Sequence, residues 1–129
     1  MNKTYCIIRV STEYQTYERQ AEILKEHGYI NGENCEYIEE TYTGKTTKRP
    51  VFDNLIHNII KKGDTIVATE LSRISRSVKD WSELIDFLLY KKEVNVIIFK
   101  ENIHLKANGE MDAMTKLILN ISAIFAQFE

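Results

Sequence analysis

The chain has 129 residues, 43% of them hydrophobic and 28% charged, with a formal net charge of −2 and two cysteines. That length supports one domain with a real core, and the composition excludes a disordered chain and a membrane span alike. With a pI of about 6.0, it is not a protein that grips nucleic acid through bulk positive charge, so any such affinity must be local.

The amino terminus carries one lysine before an apolar run that Arg9 interrupts. Such a run cannot serve as a signal-peptide core, so the expected location is cytoplasmic. Tyr5 to Val10 predicts a first strand. Tyr17, Ala21 and Leu24 then share one helical face, closed by Gly28 as a C-cap. Cys35 to Glu40 predicts a second strand that runs into "TYTGKTTKR". Pro50 suits a first helical turn, and Phe52, Leu55, Ile56, Ile59 and Ile60 follow at one-face spacing as far as Gly63. Thr65 to Leu71 predicts the third strand. Ser77 with Asp80 forms a capping-box pattern, and Val78, Trp81, Ile85 and Leu88 supply the next helix face. Val94 to Lys100 predicts a fourth strand and Ile103 to Leu105 a short edge strand. This alternation implies a three-layer α/β/α domain whose mostly parallel sheet has four to five strands, the last antiparallel.

From about residue 110 onward, Met111, Met114, Ile118, Ile121, Phe125 and Phe128 recur at spacings of three and four. Leu117, Leu119 and Ile124 make much of the remaining circumference apolar. A helix of this kind is either buried wholly in its own domain or shared between that domain and a second copy of the chain. Its periodicity still runs at Glu129 without a capping residue, which reads as the start of a longer helix in a longer protein.

Strand alternation sets Ile7, Arg9 and Ser11 on one side, with Arg9 and Ser11 roughly 7 Å apart. They sit at the carboxyl end of the first strand, where open parallel sheets build ligand sites. An oxyanion between them can take bidentate hydrogen bonds from the guanidinium while facing the hydroxyl. The plainer alternative is that Ser11 or Thr12 caps a turn and Arg9 pairs with an acid. "ELSRISRS" sets Arg73 and Arg76 three apart between the third strand and a helix start, and Arg49 stands just ahead of the Pro50 helix. Arginine keeps its proton, and its planar fork matches phosphate oxygens. Guanidiniums gathered around one serine point to phosphoryl transfer onto that serine, against the reading of a solvated basic turn.

Other constellations lead elsewhere. "TGKT" imitates the end of a P-loop, but the position five before Gly44 is Glu39 rather than glycine, leaving a mobile basic loop that carries Lys45. Glu40, Glu70 and Glu101 each close a predicted strand and would be the magnesium ligands of a metal-dependent nuclease. His27, His57 and His104 lack ligand spacing and read as surface residues. Cys6 and Cys35 form no C-x-x-C pair and read as buried, reduced thiols. Outside enzymes, the pattern also fits a receiver-like dimerisation module with structural arginines.

The segments "RVSTEYQTYERQ", "YTGKTTKRPVFD", "LSRISRS" and "NGEMDAMTKLILNISAIFAQFE", in this order and at these separations, closely resemble the catalytic domain of serine recombinases of the resolvase/invertase family. The resemblance covers essentially the whole chain. It implies that Ser11 is the nucleophile, attacking a DNA phosphodiester to leave a 5′-phosphoseryl enzyme and a free 3′-hydroxyl. It implies a homodimer that forms a synaptic tetramer, strand exchange and religation, and no cofactor, metal or ATP. By matched position Arg9, Arg73 and Arg76 would activate the scissile phosphate. Arg49, Gln15, Gln20 and Lys45 would bind DNA phosphate nearby, and Thr43 with Gly44 would form the mobile loop. The final helix, with Met111, Met114, Ile118, Ile121 and Phe125, would form the dimer interface and lead to a separate DNA-binding domain. Two positions depart from the family pattern: Ser72 stands where Asp is usual before the first arginine, and Ile7 where tyrosine is often found.

Overall fold

The computed structural model describes residues 2–11, 17–42, 49–75 and 78–109, without the side chains of Ser11, Tyr42, Val78 and Lys79. Five strands, β1 (Thr4–Ser11), β2 (Cys35–Tyr42), β3 (Thr65–Ala68), β4 (Asn95–Ile98) and β5 (Ile103–Leu105), form one sheet in the order β2-β1-β3-β4-β5. The first three pairings are parallel and β4 with β5 is antiparallel, as the sequence pattern implies.

Both faces of the sheet are covered, which is why β1 reads as a nearly continuous apolar run. On one face Tyr5, Ile7, Ile66 and Val96 pack under α2 (Pro50–Asn54) and α3 (Val78–Asp86), burying Phe52, Leu55, Trp81 and Ile85. On the other, Cys6, Ile8 and Val67 pack under α1 (Tyr17–Glu26) through Ala21 and Leu24. Gly28 ends α1 at φ +90°, a conformation that strains any side chain with a Cβ, while the next N–H, of Tyr29, returns to the Leu24 carbonyl at 2.9 Å. Among the described residues no helix is long and apolar enough to cross a membrane.

The boundaries differ from the sequence reading in three physical ways. Strands β1 and β2 run on to Ser11 and Tyr42, because they pair with each other past the end of β3, with Arg9 opposite Glu40 and Ser11 opposite Tyr42. Strand β3 stops at Ala68 rather than Leu71, since Leu71–Arg73 coils into a 3₁₀ turn whose first N–H is taken by the Glu101 carboxylate at 2.9 Å. The Pro50 helix widens into a π turn over Leu55–Ile59, closed by Ile60 N–H to the Leu55 carbonyl at 2.9 Å. That extra residue per turn rotates Ile59 off the core face, leaving it 42% exposed while Ile60 is buried. The helix continuing from α3 ends in the same way, in a π turn over Phe87–Lys91.

The Cys6 and Cys35 sulfurs lie 3.5 Å apart as free thiols, Cys6 buried and Cys35 partly exposed. Burial, with the neighbouring thiol adding to it, pushes the Cys6 thiol pKa up. The three histidines lie at the surface, as expected.

Candidate active site at the end of the central strand

The sheet order places β2 and β3 on opposite sides of β1, so the chain leaves β1 in one direction and returns in the other. At such a switch point the loops diverge and a crevice opens beyond the strand ends. Because β3 ends opposite Ile7, the last residues of β1 are flanked by β2 on one side and by the Leu71–Arg73 turn on the other.

Arg9 sits there with only 4% of its surface exposed, in the row begun by Tyr5 and Ile7. Its backbone is clamped by Gln20 of α1. The Gln20 Oε1 accepts the Arg9 N–H at 3.2 Å, and Nε2 donates to the Arg9 carbonyl at 3.0 Å. An amide suits this position because its adjacent donor and acceptor lie in one plane and match a backbone N–H and C=O. The same carbonyl receives Nη1 of Arg73 at 3.3 Å. Arg73 is anchored by an ion pair from Nη2 to Glu70 at 2.8 Å, one helical turn earlier, while its buried Nε has no hydrogen-bond partner among the described residues.

Arg49 holds this arrangement from behind. Its Nε meets Glu40 at 2.7 Å, Nη2 donates to the Arg73 carbonyl at 2.9 Å and Nη1 to the Ile74 carbonyl. The guanidinium also lies 4.2 Å over the Phe52 ring. The second oxygen of Glu40 accepts the Val51 and Phe52 N–H groups at 3.0 and 3.2 Å, where α2 begins and offers unpaired donors. Glu40 and Arg49 therefore tie β2, the start of α2 and the arginine-bearing turn into one unit.

Two depressions flank the end of β1, one on each face of the sheet. On the α2 and α3 side a pocket of about 430 Å³ includes Arg9 and Arg49 together with Asp53, Asp80 and Glu83. On the α1 side a groove of about 590 Å³ includes Arg19, Arg73, Lys100 and Glu70.

A family model described as Resolvase, N terminal domain, matches residues 4–129. This chain belongs to that family. The resolvase of transposon Tn501 from Pseudomonas aeruginosa is 30% identical over 122 residues, which are 95% of this chain and 59% of the relative. A resolvase from Clostridium perfringens is 38% identical over 78 residues, 60% of this chain and 39% of the relative. The transposon Tn552 DNA-invertase BinR of Staphylococcus aureus is 31% identical over 122 residues, 94% of this chain and 58% of the relative. This resolvase-family chain thus spans from 39% to 59% of the length of these relatives. Among solved structures, the N-terminal catalytic domain of TP901-1 integrase aligns with a TM-score of 0.63 at 25% identity, covering 98% of this chain and 95% of that one.

Within this resolvase-type domain, Arg9, Gln20 and Arg73 come together at the end of β1, and Ser11 closes that strand with its backbone. Gln15, Lys45, Thr43, Gly44, Arg76 and the final helix with Met111, Met114, Ile118, Ile121 and Phe125 lie outside the described residues, as does Ser77 of the capping-box pattern. The carboxylates of the nuclease alternative do not converge. Glu40 is occupied by Arg49 and two amides, Glu70 by Arg73 and Lys100, and Glu101 by the Leu71 N–H. Among the described residues no cluster of three side chains suited to a metal ion exists. Sequence reasoning missed the positioning parts played by these same glutamates. Their signal was available for Glu70, which stands three before Arg73, the spacing of neighbours on a helical turn. Ser72 offers no carboxylate, so the one that meets Arg73 is Glu70.

Proposed function

We propose that this chain is the DNA-cleaving catalytic domain of a serine-type site-specific recombinase acting in the cytoplasm. The observation that carries the reading is the meeting of Arg73 with the Arg9 carbonyl, 3.3 Å away and two residues before Ser11, at the switch point of a resolvase-family sheet. Arg9, Arg73 and Arg76 offset the charge that builds on the phosphorus oxygens in the transition state. Gln20 holds Arg9, and Arg49 holds the turn bearing Arg73. Gln15 and Lys45 add contacts to the neighbouring backbone.

In this reading the Ser11 Oγ forms a bond to phosphorus, the bond from phosphorus to the 3′ oxygen breaks, and that oxygen leaves as a hydroxyl carrying the proton lost from serine. The product is a 5′-phosphoserine. Because the phosphodiester's energy is kept in the covalent link, the reverse attack by a 3′-hydroxyl religates the strand without ATP, and the arginines supply the positive charge without a metal. Exchange of partners between the two steps requires several active sites at once, so the working unit is a homodimer that pairs into a synaptic tetramer. The segment from about residue 110, with its apolar face of Met111, Met114, Ile118, Ile121 and Phe125, forms the dimer contact and leads to a separate DNA-binding domain.

The test is incubation of the full-length protein with supercoiled plasmid carrying its candidate crossover site in EDTA, followed by denaturing gels. Protein joined to DNA 5′ ends with Ser11, and absent with Ser11→Ala, is the expected result. Cutting that needs magnesium and leaves free ends overturns the reading.

A further inference from the structure

Cys6 and Cys35 are the two cysteines of the chain, and the fold brings their sulfurs to 3.5 Å although 29 positions separate them. In the parallel pairing of β1 with β2, Cys6 stands opposite Tyr37 and Cys35 opposite Thr4. The two cysteines are therefore offset by two residues, roughly 7 Å along the strands, and side chains so spaced emerge on one face. Both join the cluster under α1, and their sulfurs lean towards each other across the offset. Access to them differs. Cys6 has no exposed surface, whereas Cys35 is partly exposed on an edge strand of the sheet. Burial also pushes the Cys6 thiol pKa up, so that it keeps its proton. One sulfur can meet a dissolved reagent, and the other can meet only its neighbour.

We propose that Cys6 and Cys35 are an oxidation site that closes into a reversible disulfide with a hydroperoxide as oxidant. The Cys35 sulfur attacks one peroxide oxygen and the O–O bond breaks. The other oxygen leaves as water with the thiol proton, and Cys35 becomes a sulfenic acid. The Cys6 sulfur then attacks the Cys35 sulfur, the S–S bond forms and the S–O bond breaks. The hydroxyl leaves as a second water with the Cys6 proton. Over both steps the two sulfurs together lose two electrons, and one hydrogen peroxide becomes two waters. The sulfurs must close from 3.5 Å to about 2.05 Å, which draws β2 along β1 to shorten the offset. Strand β2 can yield, because among the described residues β1 is its only partner in the sheet. A bond closed under strain is readily reopened by thiols, which suits the cytoplasmic location proposed above. The closed loop, residues 6–35, contains the whole of α1 with the Gln20 clamp on Arg9, so the bond ties β2, β1 and that helix into one unit.

The experiment treats the reduced full-length protein with hydrogen peroxide, alkylates the remaining thiols in denaturant with iodoacetamide, and maps tryptic peptides without reductant. Thr4–Arg9 and Glu26–Lys45 each carry one of the two cysteines. The expected product, taken from the monomer band of a non-reducing gel, is these peptides joined and two hydrogens lighter than their sum. Dithiothreitol should separate them and return both thiols to alkylation. In Cys6→Ala, Cys35 should stop at the sulfenic acid and be captured by dimedone, whereas in Cys35→Ala the Cys6 thiol should survive the same treatment. The map of the parent protein needs no variant, so it decides the matter even where a substitution disturbs the fold. Alkylated Cys6 beside a Cys35 that is still a thiol or has gone on to sulfinic acid overturns the proposal, as do Cys35 peptides joined to each other in a dimer band. No DNA enters the assay, so its outcome is independent of the recombinase reading.

Discussion

Two halves of one strand, Tyr5 to Ile8 and Arg9 to Ser11, teach more than any other pair of regions in the molecule. Tyr5, Ile7 and Arg9 occupy the same face of β1 and are almost equally hidden, at 6%, 1% and 4% exposure. In the first half burial is its own reward, since removing apolar area from water stabilises the fold. In the second half the same burial costs free energy, because a guanidinium leaves water and must be met by charge or hydrogen bonds. The strand can carry both because its neighbours change along its length. Beside Ile7 stands β3, an apolar strand, and beyond it stands a turn held by Arg49, Glu40 and Glu101. The carboxyl end is thus a small polar assembly attached to an apolar sheet, and its parts can be removed one at a time.

The largest effect is expected from Glu40→Ala. This change removes the buried carboxylate that meets the partly buried Arg49 guanidinium, and leaves the Val51 and Phe52 amides without that acceptor. Breaking one side of a buried pair costs about 3–5 kcal/mol. Urea unfolding checks it, and a loss below about 1 kcal/mol, the level of an exposed ion pair, would show that the polar assembly is an ornament of the fold rather than its support.

Arg73→Ala should show the opposite balance. Arg73 is only half-buried and its partner Glu70 keeps Lys100, so the fold should melt close to the parent. Removing one preorganised positive group from a transition state costs a factor of about 10²–10³ in rate. The comparison is made in single-turnover adduct formation at Ser11, with the melting curve measured on the same preparation. Native-like melting with undiminished cleavage would remove Arg73 from the site.

How much of this was legible depended on the distance over which each signal acts. The strands and their burial follow from apolar runs bounded by polar joints, and the antiparallel edge at Ile103–Leu105 was placed to the residue. Arg9 stood out because an arginine on an apolar strand demands a reason, and strand alternation then brought in Ser11. The π turns were invisible, since a hydrophobic pattern with a period of 3.6 continues through them until one residue, Ile59, fails to be buried. The link between Glu40 and Arg49 spans a loop, and neither residue's local pattern names the other. Only the register that sets Glu40 beside Arg9, together with Pro50 starting a helix that wants a carboxylate at its amino end, carries the hint. Glu101 reads as an exposed strand-end acid, yet the fold folds it back over the 3₁₀ turn.

That carboxylate provides the smallest and most discriminating test. Burial raises the Glu101 pKa, outweighing the Leu71 N–H that favours the charged form. A carboxyl whose folded pKa lies above its unfolded one binds its proton more tightly in the fold. Its stabilising contribution is therefore complete below the ordinary glutamate value of about 4.3 and is lost as pH rises through the raised folded value. Glu101→Gln keeps a carbonyl oxygen for the Leu71 N–H and removes the buried charge. It should melt above the parent at neutral pH by a small margin, and the margin should close as the pH falls towards 4.3 or so, where the parent carboxyl is protonated too. Thermal melts across that window decide it. A margin that stays constant with pH would mean that the carboxylate is adequately solvated and acts on the turn through its hydrogen bond to the Leu71 N–H without a penalty for its charge.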